Sequence, residues 1–169
     1  MGIFTPDVHN LRELYKAMLQ RALSSERQLV QTGLPGMMED ATSPELFDAF
    51  RTHLDESRMH VSRLERILDA VEGEENETKC KTTSALISAA SSSAKDAPDA
   101  QLRDVLLIAA GNEVEHYEIA VYGTLKTWAE VLGEFEQAAS LEKTLVEEKK
   151  ANDLLTKLSR QINVAAPVA

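Results

Sequence analysis

Apolar residues recur three and four positions apart along four long stretches of this chain, and this spacing constrains the fold more than any other feature. Residues at this spacing lie on one face of an α-helix, whereas a strand requires alternation. The spacing predicts helices over about 7–32, 44–72, 99–132 and 134–163. The chain has only 7 Gly, 5 Pro and 5% aromatic residues, which also argues against an all-β fold rich in turns.

Turn and capping residues predict where the first two helices begin and end. Asp7 can cap the first helix, and the run Gly33-Leu34-Pro35-Gly36 is expected to stop it, because Gly favours a left-handed turn and Pro cannot continue a helix. Ser43 is the expected cap of the second helix and Pro44 its first residue. Gly73 is expected to end this helix.

The lengths of the links select among bundle topologies. Gly133 predicts a tight turn between the third and fourth helices, and the first link is also short, so both pairs are expected to be antiparallel. The crossover over about 73–98 is long, with a short helix inside it and Ser91-Ser92-Ser93 as a flexible spacer. The tail over 164–169 is expected to fray. The sequence therefore predicts one all-α domain over 1–169, a ferritin-like four-helix bundle whose long crossover carries a short extra helix between helices 2 and 3.

Several polar residues fall on the apolar faces of these helices, where an unpaired charge is costly. Glu26 lies in the apolar series of the first helix, and Glu148 in that of the fourth. His53, Glu56 and His60 follow one another at spacings of three and four, so they share one face of the second helix. These side chains are candidates for a polar cluster inside the bundle.

The third helix permits two registers. Glu113 and His116 have the Glu-x-x-His spacing that di-metal carboxylate bundles use, whereas Glu115 and Glu118 share a different face. Apolar residues occupy both faces, which suggests a helix that is buried widely, in part by another subunit. The residues alone leave both registers open.

Carboxylates and imidazoles converging from four helices are what a pair of Fe or Mn ions requires. Each such residue taken singly is more often a solvated charge or a satisfied histidine, so the hypothesis depends on their coincidence. Two ions bridged by carboxylates bind O₂ or peroxide and share two electrons, which predicts an oxidase-, peroxidase- or ferroxidase-like reaction. Tyr122, one turn from Glu118, is either a core residue, a hydrogen-bond donor near the metals or a redox-active phenol.

Charge and cysteine content limit the partners and the compartment. Asp and Glu number 28 against 18 Lys and Arg, and a formal charge of -10 argues against a nucleic-acid partner. No uncharged apolar stretch reaches the roughly 18 residues of a membrane span, so we expect a soluble cytoplasmic protein without a membrane partner. Cys80 is the single cysteine, which indicates a reducing compartment. Its neighbours Lys79 and Lys81 suggest a redox role, although a small residue at a helix start is the simpler interpretation.

Three segments of the chain, over 49–57, 114–125 and 144–150, resemble the YciF/YciE family of bacterial stress proteins within the ferritin-like superfamily. The most specific of them contains the run EHYEIAVYGTL at 115–125. The resemblance implies a four-helix ferritin-like bundle that forms a homodimer and carries a di-iron or di-manganese site. It also implies an association with the bacterial stress response.

The resemblance also implies a set of metal ligands. Carried over by position, they are Glu26, His53, Glu56, Glu115, Glu118 and Glu148, with His116 of the family motif as a further candidate. The family pattern thereby favours Glu115 and Glu118 over the Glu113–His116 register. Asn152 stands where some relatives carry Asp, which weakens one metal position, and His60 stands where others carry Gln, which can restore a ligand.

Two other functions compete with a redox-active metal protein. In the first, the chain is a non-enzymatic dimeric helical protein, a stress-associated binding or scaffold protein without a functional metal site, whose buried polar residues only fix the packing. In the second, a hollow ferritin shell stores iron or protects DNA. The lack of a basic tail disfavours the second alternative.

Overall fold

The computed structural model describes residues 8–71 and 79–165, which are helical except for short links. The elements are α1 (Leu11–Gln28), a π-helical turn (Leu29–Gly33), α2 (Leu34–Asp40), α3 (Pro44–Ala70), α4 (Lys81–Asp96), α5 (Ala100–Val131) and α6 (Phe135–Ala165). The predicted all-α class is confirmed. Within the described ranges, none of these helices combines the length and the apolar character that crossing a membrane requires.

Two apolar clusters fill the two ends of a bundle formed by α1, α3, α5 and α6. The first cluster includes Tyr15, Leu19, Leu64, Leu68, Tyr122, Leu125 and Leu141. The second includes Leu29, Leu34, Met37, Leu46, Phe50, Leu107, Ile108 and Leu155. Helix α1, the first half of α6 and the second halves of α3 and α5 contribute to the first cluster, and the π-helical turn after α1 and the remaining halves of α3, α5 and α6 contribute to the second. Hence α1 is antiparallel to α3, α5 is antiparallel to α6, and α3 is parallel to α5. This is the predicted four-helix bundle with one crossover.

The crossover helix α4 is longer than predicted. It packs against α5, α1 and α2, and it buries Ala90 and Ala94 in the second apolar cluster. The predicted spacer Ser91-Ser92-Ser93 is wrong, since these serines lie inside α4. Small side chains at this contact let α4 approach the bundle closely, and packing against the bundle outweighs the weak helix preference of serine.

The predicted stop at 33–36 is also wrong, because the helical path continues to Asp40 through the π-helical turn. The backbone N–H of Leu34 bonds to the carbonyl of Leu29, five residues back. Pro35 then occupies the first turn of α2, where its missing N–H is tolerated. A Cβ on Gly33 would lie 3.1 Å from the side chain of Ile87, so this glycine permits the close approach of α4 and does not end the helix.

The beginning of α1 and the end of α6 also differ from prediction. α1 begins at Leu11, and the side chain of Asn10 caps it by accepting a hydrogen bond from the N–H of Glu13 at 3.0 Å. The predicted cap, Asp7, lies outside the described residues. α6 continues to Ala165, two residues into the tail that was expected to fray, and the remainder of that tail lies outside the described residues.

The other predicted boundaries are largely confirmed. Ser43 caps α3 by accepting from the N–H of Leu46, and Pro44 is the first helical residue. The α5–α6 turn contains Gly133 with a φ of 77°, a conformation that strongly favours glycine. α3 ends at Ala70, and the predicted terminator Gly73 lies outside the described residues.

Asp104 of α5 holds the turn between α2 and α3. Its carboxylate accepts hydrogen bonds from the backbone N–H groups of Thr42 and Ser43, each at 2.8 Å, and from the Thr42 hydroxyl at 2.6 Å. Asp104 is buried despite its charge. The three donors compensate for the lost hydration of the carboxylate and tie this turn to the beginning of α5.

Asp104→Ala is expected to lower the free energy of unfolding by about 1–3 kcal/mol, because two backbone N–H groups lose their acceptor. Thermal and urea melting followed by circular dichroism measures this loss. Asp153→Ala removes the same charge from an exposed position of α6 and should change stability by less than about 0.5 kcal/mol. Equal losses in the two variants would contradict the anchoring role of Asp104.

Candidate metal centre

A buried polar layer separates the two apolar clusters at the middle of the bundle. All four long helices contribute to it, and each of its side chains is at most 4% exposed: Ser25, Glu26, His53, Ser57, His60, Glu115, Glu118 and Glu148. Spacings of three and four place the members from α3 on one inward face and those from α5 on another, while α1 contributes the adjacent Ser25 and Glu26. The layer therefore interrupts each apolar face at the same height of the bundle.

One group in this layer consists of His53, Glu115, Glu118 and Glu148. Each residue offers one possible ligand atom, and these atoms all lie within 4.8 Å of one another. His53 Nε2 is 3.3 Å from Glu115 Oε1 and 3.7 Å from Glu148 Oε2. Three helices thus direct one imidazole and three carboxylates toward a common point.

A second group consists of Glu26, His60 and Glu148, with ligand atoms again within 4.8 Å of one another. His60 Nδ1 lies 3.2 Å from Glu26 Oε1 and 3.1 Å from Glu148 Oε1. Glu148 belongs to both groups, and its two oxygens face different histidines, since Oε2 is directed to His53. This carboxylate stands between the two groups.

Many atoms of the layer lack a hydrogen-bond partner within the described part of the chain. They include Oε2 of Glu26, Glu115 and Glu118, both carboxylate oxygens of Glu148, and both ring nitrogens of His53. Buried carboxylate oxygens without donors are costly, and a divalent cation would supply both charge and coordination. Oxygen and imidazole ligands together suit divalent transition metals, so each of the two groups could hold a metal ion.

Burial and mutual repulsion raise the pKa of two carboxyl groups in the layer. For Glu115, burial raises the pKa, the facing His53 opposes the shift and Glu148 adds to it, which gives a value of about 8. For Glu118, burial and the charges of Glu26 and Glu148 raise the pKa well above its ordinary range. Without a metal ion, these two groups therefore tend to retain their protons near neutral pH.

The pKa values of the two histidines are raised, whereas burial alone would lower the pKa of an imidazole. Burial lowers the pKa of His53, but Glu115 and other facing carboxylates outweigh it and raise the value to about 9. In the same way, Glu148 and Glu26 raise the pKa of His60 to about 11. Burial raises the pKa of Glu148, but the histidines outweigh this effect and hold it below its ordinary value. In the metal-free protein, imidazolium ions thus balance part of the carboxylate charge.

Tyr122 touches the layer directly. Its hydroxyl donates a hydrogen bond to Glu26 Oε1 at 2.5 Å, and the ring lies in the first apolar cluster. Burial and the charges of Glu26 and Glu148 raise the pKa of Tyr122 well above its ordinary value, so the phenol remains protonated. The residue is therefore both a core residue and a hydrogen-bond donor to the layer, two of the three roles considered from the sequence.

Glu56 does not join either group. Its side chain is 35% exposed, and Oε2 lies 3.8 Å from His53 Nδ1, which is too long for a hydrogen bond. It lines a cavity of about 90 Å³ between α3 and α6, together with His53, Glu115 and Lys150. The predicted ligand thus lies on the solvent side of His53.

The α5 register is settled by burial. Glu115 and Glu118 are buried in the layer, while Glu113 and His116 are exposed on the opposite face. His116 Nδ1 donates to the backbone carbonyl of Asn112 at 2.8 Å. The structure therefore does not bring the candidate ligand His116 into the site. Both faces of α5 look apolar in sequence because α4, within the same chain, covers part of the surface that α6 leaves.

Several polar residues around the layer were not predicted from the sequence. Arg63 and Thr144 are buried, and Glu147 is partly buried beside His60. The spacing of Arg63, three positions after His60, was a usable signal for a shared face. Glu147 gave no such signal, because an acid next to a candidate ligand resembles an ordinary surface charge.

The fold and this layer define a helical bundle with a buried carboxylate–imidazole cluster at its centre. A model of the family described as a domain of unknown function, DUF892, matches residues 10–166, and the chain belongs to this family. Protein YciF of Escherichia coli strain K12 is 35% identical over 152 residues, which cover 88% of this chain and 89% of YciF. The resemblance to the YciF family is thereby confirmed.

Solved structures of similar proteins have the same fold as this chain. The crystal structure of the Escherichia coli stress protein YciF matches with a TM-score of 0.89 and 31% identity, covering 94% of this chain and 100% of that one. YcfI from Rhodopseudomonas palustris matches with a TM-score of 0.86 and 32% identity, covering 91% and 98%. A Xanthomonas campestris protein, with a TM-score of 0.75 and 23% identity over 92% and 95%, shares the fold.

The metal-free protein is expected to lose stability as the pH rises from about 6.5 to 9. The pKa of His53 is raised from 6.5 to about 9 on folding, so its stabilising contribution is complete below pH 6.5 and is lost as the pH rises through 9. Glu115, with a pKa raised from 4.5 to about 8, acts in the same direction. Thermal melting in the presence of a chelator measures the decline.

His53→Gln removes one of these contributions and should flatten the decline in melting temperature. His9→Gln, at an exposed position, should retain it. A melting temperature of the metal-free protein that rises over this interval would contradict the electrostatic balance described above.

Proposed function

We propose that this protein is a ferritin-like di-metal carboxylate protein that binds two Fe or Mn ions per chain. The observation that carries the proposal is Glu148, a fully buried carboxylate shared by two groups of potential ligands, with Oε1 lying 3.1 Å from His60 Nδ1 and Oε2 lying 3.7 Å from His53 Nε2. A carboxylate with this environment is well suited to bridge two cations.

The two groups assign a set of ligands to each ion. His53, Glu115 and Glu118 would hold one ion, Glu26 and His60 would hold the other, and Glu148 would contact both. When bound, such a pair supplies two-electron redox chemistry toward O₂ or peroxide, in an oxidase-, peroxidase- or ferroxidase-like reaction. The apolar clusters above and below the layer exclude bulk water from these ligands. Tyr122 orients Glu26 through its hydrogen bond.

The cavity between α3 and α6 supports a small substrate. Its volume of about 90 Å³ is enough for several water-sized molecules. His53 and Glu115 lie among its lining residues, and Glu56 and Lys150 provide charged groups there. O₂ and peroxide fit such a space.

The family supports the biological setting. The related Escherichia coli protein is a stress protein, and we propose a role in the bacterial stress response for this chain as well. We also propose a cytoplasmic homodimer, on the resemblance and on the unpaired Cys80. Sedimentation velocity tests the dimer, and a large assembly would instead support a ferritin-type shell.

Two ions per chain are expected after reconstitution with Fe²⁺ or Mn²⁺, measured by mass spectrometry of the metals. Glu148→Gln should abolish both sites, because its carboxylate is common to the two groups. Glu118→Gln and Glu26→Gln should each remove or weaken one site only. Glu113→Gln, at an exposed position on α5, is the matched control and should bind two ions. Fewer than about one ion per wild-type chain would contradict the proposal.

Oxidation of bound Fe²⁺ by O₂ or peroxide is expected to be at least about tenfold faster in the wild type than in Glu148→Gln. Stopped-flow absorbance with anaerobically loaded protein measures this rate. Metal binding without faster oxidation would reduce the proposal to metal binding alone. If, in addition, added metal leaves the melting temperature of the wild type unchanged, as it does that of the Glu56→Gln/Glu148→Gln double variant, the scaffold function is favoured.

A further inference from the structure

A carboxylate outside both ligand groups contacts the far side of the His60 ring. His60 Nδ1 faces Glu26 and Glu148, while His60 Nε2 lies 3.0 Å from Glu147 Oε2. The imidazole is fully buried, and its two nitrogens point to different carboxylates. The two sides of the ring therefore have separate roles.

Arg63 holds Glu147 in place. Its guanidinium contacts both carboxylate oxygens, with Nη1 donating to Oε2 and Nη2 donating to Oε1 at 3.2 Å. Nη1 also donates to the Thr144 hydroxyl at 3.1 Å. Arg63 is only 5% exposed, and the paired geometry fixes the plane of the carboxylate as well as its position.

An imidazole that binds a metal ion uses one nitrogen and donates the N–H of the other, and the partner of that N–H fixes the tautomer and the ring orientation. We propose that Glu147, held by Arg63, is a positioning residue that retains the proton on His60 Nε2 and leaves Nδ1 to bind the ion of the Glu26–His60–Glu148 group. This inference rests on the proposed function. It adds a residue that neither ligand group contains.

The geometry distinguishes positioning from ligation. Both oxygens of Glu147 already accept hydrogen bonds, from Arg63 and on one oxygen from His60 as well. Its side chain is 18% exposed, at the edge of the buried layer. Glu147 thus has a hydrogen-bond donor on each oxygen and belongs to neither ligand group, whereas Glu148 belongs to both groups.

His53 has no neighbouring carboxylate that is fixed as Glu147 is fixed beside His60, among the residues that the structure describes. His53 Nδ1 is 3.8 Å from Glu56, whose side chain is 35% exposed. No hydrogen bond joins them, and both ring nitrogens of His53 lack such a partner in the described part of the chain. The two ions are therefore expected to depend differently on their surroundings, and loss of Glu147 should affect only the ion at His60.

Zn²⁺ titration of the full chain tests this inference, with chelator competition for the affinities and ¹⁵N-detected histidine NMR for the tautomers. In the wild type, His60 should carry its proton on Nε2 and bind through Nδ1. Glu147→Ala should weaken the ion linked to the His60 signals about 10- to 100-fold and leave the ion linked to His53 within about twofold. Glu147→Gln keeps a carbonyl acceptor and should give an intermediate loss.

Glu136→Ala, an exposed position on α6, is the matched control and should change neither affinity. The inference is overturned if Glu147→Ala leaves the affinity at His60 within twofold, if both ions weaken equally, or if His60 binds through Nε2. If Glu147→Ala does not fold, as judged by melting of the metal-free protein, Glu147→Gln decides by the same criteria. A wild type that binds less than about one Zn²⁺ would instead refute the proposed function.

Discussion

The burial of four carboxylates at the centre of a helical bundle is the constraint on which the rest of the structure depends. Glu26, Glu115, Glu118 and Glu148 are each at most 3% exposed, and such burial is unfavourable unless positive charge or hydrogen-bond donors surround the carboxylates or a proton neutralises them. Apolar clusters on both sides of the layer supply the favourable burial that offsets this cost. Imidazole rings supply part of the compensating charge, and the remaining unpartnered oxygens are the physical basis for proposing metal ions.

The long crossover is what allows the layer to form. Because it returns the chain to the starting end of α3, α5 runs parallel to α3 and brings its own pair of carboxylates to the height of His53 and His60. α4 then covers part of α5 that the other three helices leave open. A bundle with three short links would place α5 antiparallel to α3, and the two apolar clusters would receive different halves of these helices.

Helix number and topology could be predicted because amphipathic periodicity and link length are properties of the sequence itself. The α5 register could not be predicted from periodicity, since both of its faces carry apolar residues, and only the family pattern favoured Glu115. The break expected at Pro35 failed for another reason, because a local preference was outweighed by contacts with α4, which lies more than 40 residues further along the chain. Glu147 was missed because its role arises from Arg63 and His60 on a different helix.

The π-helical turn has a consequence for comparing this chain with its relatives. One additional residue in that turn rotates everything that follows by about 100° relative to what precedes it. Glu26 faces the polar layer and Leu34 faces the second apolar cluster only because both sides of the turn have the correct rotation. The length of the segment Leu29–Gly33 therefore fixes the rotation of α2 relative to α1. A one-residue gap in an alignment at this point would mean a different packing of α2, even where every ligand of the layer is retained.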